Sequence, residues 1–137
     1  MSVFIDTSAF IAVLNANDHF HPPAKDTWRD LLQQGVYLTC NNYILVETFA
    51  LLGHRFGLEA VLLFQIDVMP IVEVIWVDEA LHNRALSALL ATDRRRVSLV
   101  DCTSFETMRH LGLSRAFTFD RHFAELGFEV IPTLNIP

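Results

Sequence analysis

Five short runs of this chain are apolar with little polar alternation: SVFI (2–5), VYLTC (36–40), IVEVIWV (71–77), RAFTF (115–119) and FEVI (128–131). A strand with one solvated face alternates apolar and polar side chains, whereas a strand apolar throughout has to be covered on both faces. The segments between these runs are long enough for helices, and strand–helix–strand alternation produces a parallel sheet. The sequence therefore predicts an α/β fold with a parallel sheet of four strands and a short fifth, sheathed by helices on both sides.

The helical segments carry their own punctuation. The first follows SVFI directly and runs through Leu14, with Thr7 or Ser8 available as cap. HPPAKDTWRDLLQQG places Pro22 and Pro23 in a first turn, Ala24, Trp28 and Leu31 at helical spacing, and Gly35 at the end. NNYILVETFALLGHRF and LEAVLLFQIDVM are two more, parted near Gly57 and stopped at Pro70. DEALHNRALSALLAT is capped by Asp78, SLVDCTSFETMRHLG follows, and DRHFAEL supplies one or two turns. No repeat or linker interrupts them, so residues 1–137 read as one domain, and 52% hydrophobic residues suffice for its core.

MSVFIDTSAF has no basic leader, and AVLLFQIDVMPIVEVIWV is broken by Asp67, Pro70 and Glu73, which excludes a membrane span. A soluble, cytoplasmic protein is expected. Cys40 and Cys102 match no metal or redox spacing and read as small core residues. The formal charge is 10 − 16 = −6, which argues against a general nucleic-acid coat. Lys25 is the only lysine, and three of the nine arginines are consecutive, Arg94, Arg95 and Arg96. That run is either a solvated loop or an edge that contacts phosphate.

In open parallel sheets, sites form where strands end at their carboxyl side. Asp6 directly follows SVFI, Asp120 follows AFTF, Asp101 opens the helix of SLVDCTSF, and Glu47 stands alone in NNYILVETFALL. That last helix is apolar nearly all round, so it reads as buried, and a lone carboxylate in it needs a counter-charge or a proton. Glu47 is then either half of an internal ion pair, with His54 or an arginine, or a metal ligand. The other three have capping readings: Ser98 and Asp101 match a capping box, Asp120 can cap DRHF, and Asp6 can cap its own helix. Four acids at one sheet edge are harder to explain as caps. Unit charges about 4 Å apart repel by roughly 4 kcal/mol at an effective dielectric near 20, and a divalent cation with a preference for oxygen ligands removes that repulsion.

VFIDTSAF, Glu47 within YILVETFALL, SLVDCTSFE and AFTFDRHFAELGFEVI follow the order and approximate spacing of PIN domains. Over nearly its whole length the chain most resembles the VapC-type toxins of toxin–antitoxin pairs. The resemblance implies a three-layer α/β/α sandwich and an acidic metal site made of Asp6, Glu47, Asp101 and Asp120, with Ser8 and Thr118 at supporting hydroxyl positions. It implies Mg²⁺ or Mn²⁺ as cofactor, RNA as substrate, a small antitoxin protein as partner and a homodimer. The exposed apolar helices that such a dimer would cover point the same way, and Trp28, Leu31 and Leu32, or Phe56 and Leu62, offer a groove for the antitoxin.

Other chemistries lack their parts. No GxGxxG, Walker, GxSxG or HExxH pattern occurs, and the six histidines read as surface or capping groups. Aspartyl-phosphate chemistry, as in receiver or phosphatase domains, also uses an aspartate after a parallel strand. It resembles families that need a lysine late in the fold, and Lys25 lies in the second helix. A PIN scaffold that binds without catalysis is the third reading, opposed by the intact set of acids.

Overall fold

The computed structural model describes residues 1–92 and 97–133. The expectation for Arg94, Arg95 and Arg96 lies outside the described residues. The strands are β1 (Ser2–Ile5), β2 (Tyr37–Asn41), β3 (Val72–Ile75), β4 (Arg115–Phe117) and β5 (Glu129–Ile131). The helices are α1 (Thr7–Leu14), α2 (His21–Gln33), α3 (Asn42–Phe56), α4 (Leu58–Leu63), α5 (Glu79–Ala91), α6 (Leu99–Leu111) and α7 (His122–Glu125).

All strand pairs are parallel, and the order across the sheet is β3-β2-β1-β4-β5. The chain works outward from β1 to β3, then returns to β4 on the other side of β1. Right-handed crossovers send the helices of the first half to one face and those of the second half to the other. The two halves part between β1 and β4, where the strand order reverses, and that crevice is the ligand position of an open α/β sheet.

The core follows from the apolar runs. Val3, Phe4 and Ile5 of β1 and Ala116 and Phe117 of β4 are fully buried, with Phe10, Leu31, Ile44, Leu52, Phe64, Met108 and Phe123 from the helices around them. Phe64 sits edge-on to Phe10 and to Phe49, ring centroids 5.2 Å apart in each pair, a favoured aromatic geometry. Cys40 is buried too, and burial pushes its thiol up to about 12. Cys102 is likewise buried.

Local signals work as the sequence suggests at most helix ends. Asp78 accepts from Leu81 N–H at 2.8 Å, and Ser98 and Asp101 form the reciprocal capping box of α6. Gly112 closes α6 in the left-handed region at φ 68°, which a side chain would strain. Four expectations need correction. The segment after Gly57 is one short helix, α4, that widens into a π turn over Phe64–Val68 and a 3₁₀ turn over Met69–Ile71, where Pro70 interrupts the ladder. RAFTF ends as a strand at Phe117; the Thr118 N–H still donates to Ile131 O at 3.2 Å, and the chain then turns at Phe119 and Asp120. Thr7 and Ser8 are inside α1 and do not cap it; the cap position is Asp6, whose side chain makes no cap bond. The helix that carries Glu47 is not buried all round: Val46 is 69% and Phe56 46% exposed.

No helix among the described residues is long and apolar enough to cross a membrane.

Candidate active site

An open cleft of about 530 Å³ lies at the carboxyl ends of β1 and β4 and is lined by all four acids singled out from the sequence, Asp6, Glu47, Asp101 and Asp120. Each comes from a different element. Asp6 is the first residue after β1, tied to β4 by its N–H, which donates to Phe117 O at 3.0 Å. Glu47 belongs to a stripe of α3 that also brings Leu51 and Arg55 to the wall, residues spaced by four and so stacked on one helical face. Asp101 is in the first turn of α6, and Asp120 follows the turn after β4.

Asp6 is the most constrained of them. It is 5% exposed, and its Oδ2 accepts from Ser8 Oγ at 2.7 Å and from Thr118 Oγ1 at 2.9 Å. Ser8 Oγ lies 3.2 Å from Thr118 Oγ1 and also accepts from Phe119 N–H at 3.0 Å, while Thr118 Oγ1 accepts from Asp120 N–H at 3.0 Å. The two hydroxyls thus join the ends of β1 and β4 and aim Asp6. The Asp6 carboxyl is raised to about 6, chiefly by burial; the two hydroxyl bonds oppose the rise, and the charges of Asp101 and Asp120 add to it. Asp101 is raised as well, first by burial and then by Asp120, against the opposing bonds from Ser98.

Asp101 and Asp120 keep the capping roles read from the sequence in addition to their place in the cleft. Ser98 N–H donates to Asp101 Oδ2 at 2.9 Å, and His122 N–H donates to Asp120 Oδ1 at 3.0 Å. The structure adds His122, one of the six histidines that read from the sequence as surface or capping groups. Its Nδ1 is 2.8 Å from Asp120 Oδ1 without the alignment of a hydrogen bond. One donor atom each from Asp101, Asp120 and His122 lie within 4.8 Å of one another. Asp6 and Glu47 lie outside that tight group, on the other walls of the cleft.

Of the two readings of Glu47, the ion pair with His54 or an arginine is not the one formed among the described residues. The residue is half-buried. Arg55 faces the same cleft from two turns along α3 and is exposed. Phe20 and Phe119 also line it, stacked at 4.7 Å with their planes 11° apart. Nothing in the sequence signalled Arg55, Phe20 or Phe119, because each reaches the site through a turn or a helical phase rather than a strand end.

The donor set is carboxylate oxygen with one imidazole and no thiolate, which fits a hard divalent cation. Burial is the main cause that raises Asp6 and Asp101, and the neighbouring carboxylates add to it; a bound cation would offset both costs. Lys25 is exposed on α2 and takes no part in the cleft, so the lysine that aspartyl-phosphate chemistry needs is not at the site.

The family profile described as PIN domain matches residues 3–129. The chain is 39% identical over 132 residues to a protein of Mycobacterium tuberculosis named 23S rRNA-specific endonuclease VapC20, a match that covers 95% of this chain and 98% of the relative. A crystal structure of Mycobacterium tuberculosis VapC20, described as a Sarcin-Ricin loop cleaving toxin, superposes with a TM-score of 0.80 at 36% identity, covering 93% of this chain and 96% of that one. VapBC2 from Rickettsia felis, solved bound to a DNA fragment from their promoter, shares the fold at 10% identity with a TM-score of 0.71, covering 95% and 97%. The chain belongs to the PIN domain family and, within it, to the VapC-type endoribonucleases.

Proposed function

We propose that this endoribonuclease hydrolyses RNA phosphodiester bonds with Mg²⁺ or Mn²⁺ held by Asp6, Asp101 and Asp120, with Glu47 completing the acidic site. The observation that carries the proposal is the convergence of Asp6, Asp101, Asp120 and Glu47 on one cleft, where burial first and the neighbouring Asp101 and Asp120 charges second raise the Asp6 carboxyl. When bound, a divalent cation supplies Lewis-acid stabilisation of charge at the phosphate and acidifies the attacking water.

The chain's own residues prepare that chemistry. Ser8 and Thr118 fix the rotamer of Asp6, the α6 capping box fixes Asp101, and the His122 N–H fixes Asp120. Arg55, exposed in the cleft wall, is suited to a phosphate oxygen of the substrate backbone. Two bound divalent ions bring the net charge from −6 to −6 + 4 = −2, which lets an acidic protein approach RNA. Hydrolysis of this type leaves a 5′-phosphate and a 3′-hydroxyl. The name of the Mycobacterium tuberculosis relative makes ribosomal RNA the first substrate to test. Incubation of wild type and Asp6→Asn with total cellular RNA, with and without Mg²⁺, separates this reading from a scaffold that binds without cutting.

The proposal extends to partners. One group of exposed apolar side chains lies on α3, α4 and the turn after them: Phe56, Leu58, Leu62, Leu63 and Ile66 are 46 to 83% exposed. A groove of about 370 Å³ between Leu14, Leu52, Phe56, Ala60 and Leu63 runs along this face. It replaces part of the groove expected from the sequence, since Leu31 is buried in the core at 2% exposure. Such a surface suits a homodimer contact and the amphipathic segment of a small antitoxin. Sedimentation tests the first, with a monomer at micromolar concentration as the contrary result. Titration of the inhibited complex with Mn²⁺ against NaCl of equal ionic strength tests whether an antitoxin cation competes for the acids; equal responses argue against it.

A further inference from the structure

A second cavity, of about 410 Å³, adjoins the acid cleft on the far side of Phe119, and the two share Phe119 and Asp120 in their walls. Its other lining includes Ala124, Val130 and Pro132, with Arg121 beside them. The Phe119 ring is held in place from several directions. Phe20 stacks on it at 4.7 Å, Phe117 meets it edge-on at 6.1 Å, and the Phe119 N–H is bonded to Ser8 Oγ. Arg121 is exposed and forms no ion pair among the described residues. The carboxylate of Glu129, which also lines the cavity, lies 3.8 Å from Arg115. The cavity therefore combines a fixed aromatic ring, apolar walls and an unengaged guanidinium, and it opens directly beside an acid of the cleft.

Those are the features that recognise an unpaired base. A nucleobase taken out of its stack has apolar faces that lie against aromatic rings or guanidinium planes, and polar edges left to be read. The volume is within the roughly 300 to 1,000 Å³ of small-molecule sites. Because Asp120 belongs to both walls, a phosphate at the acids places the adjoining nucleotide next to this cavity. Building on the reading of the acid cleft as a ribonuclease centre, we infer that the cavity is a nucleobase subsite. It takes the unstacked base of the nucleotide beside the scissile phosphate, and Phe119 and Arg121 make cleavage depend on the identity of that base.

Total cellular RNA is cut with Mn²⁺ and the new ends are mapped. A short RNA spanning the mapped site is then made with each of the four bases, and with an abasic residue, at the two positions flanking the cut. The variants are Ala124→Trp, which fills the cavity from an exposed position without altering the acids, and Arg121→Ala, with thermal melting as the control for folding. Wild type is expected to cut the abasic RNA at one flanking position about tenfold or more slowly, the scale of one lost base stack. Both variants are expected to narrow the difference between bases at that position to within about twofold. Wild type that cuts all five RNAs equally at both positions overturns the inference. So does discrimination that survives in folded Ala124→Trp, including the case where that variant loses only antitoxin binding. Failure of wild type to cut total RNA, or equal cutting by Asp6→Asn, instead overturns the ribonuclease reading of the cleft, and the subsite with it.

Discussion

Thr118 Oγ1 donates to Asp6 Oδ2 at 2.9 Å, joining two residues 112 positions apart at the ends of neighbouring strands. The same oxygen accepts the Asp120 N–H, so one buried hydroxyl positions two of the acids. Thr118→Val keeps the shape and removes the bond. Since that bond holds the Asp6 carboxyl down, Asp6 in the metal-free variant should titrate above the wild-type value of about 6. Carboxyl ¹³C chemical shifts followed against pH in EDTA measure it; an unchanged or lower midpoint contradicts the proposed positioning.

Asp6 also makes the metal-free fold sensitive to pH. Its carboxyl is raised from 3.8 to about 6, so the folded state holds a proton that the unfolded chain has lost. The associated stability is fully present below pH 3.8 and is lost as pH rises through about 6. It amounts to at most about 3 kcal/mol at roughly 1.4 kcal/mol per unit. Asp6→Asn should therefore be more stable than wild type at pH 7 in EDTA and lack this part of the slope. Urea unfolding at several pH values checks it, and identical slopes would count against the buried-charge account.

Asp101 does two jobs that substitutions can separate. Asp101→Asn and Asp101→Ala should both weaken Mn²⁺ binding measured by calorimetry. Only Ala removes the acceptor for Ser98 N–H, so it alone should lower stability, by about 1 kcal/mol. Equal losses of stability would mean that the charge, rather than the cap, supports α6.

The sequence made the strand ends legible because position after an apolar strand is a local property: Asp6 and Asp120 could be placed without knowing what lay beside them. The parallel sheet was legible for the same reason. The burial of α3 was not, because an apolar helix looks alike whether or not its own chain covers every face; Val46 at 69% exposure shows that this chain leaves one face of α3 open. His122 and Arg55 were hidden because a histidine two residues past Asp120 and an arginine two turns past Glu47 are ordinary surface choices in the sequence, and Phe20 meets Phe119 only through tertiary packing. Asp101 was readable in both its roles, since the capping box and the strand-edge acid share one residue.

Glu47 follows from that correction. As it is half-buried and unpaired among the described residues, Glu47→Gln should weaken Mn²⁺ affinity, and Glu47→Leu should abolish it while changing stability in EDTA by no more than about 0.5 kcal/mol. Thermal melting of the Leu variant decides between the roles, since a severe loss would restore the structural ion pair.

The most direct measurement is the rate at which wild type and Asp6→Asn cut ribosomal RNA in Mg²⁺ or Mn²⁺ and in EDTA, with both proteins shown to be folded. Wild type should cut only with the divalent ion, and Asp6→Asn should be slower by about a hundredfold or more, the scale of a lost charge-stabilising group. Cutting that persists in EDTA, or an Asp6→Asn rate equal to wild type, would contradict a metal-dependent ribonuclease centred on these acids.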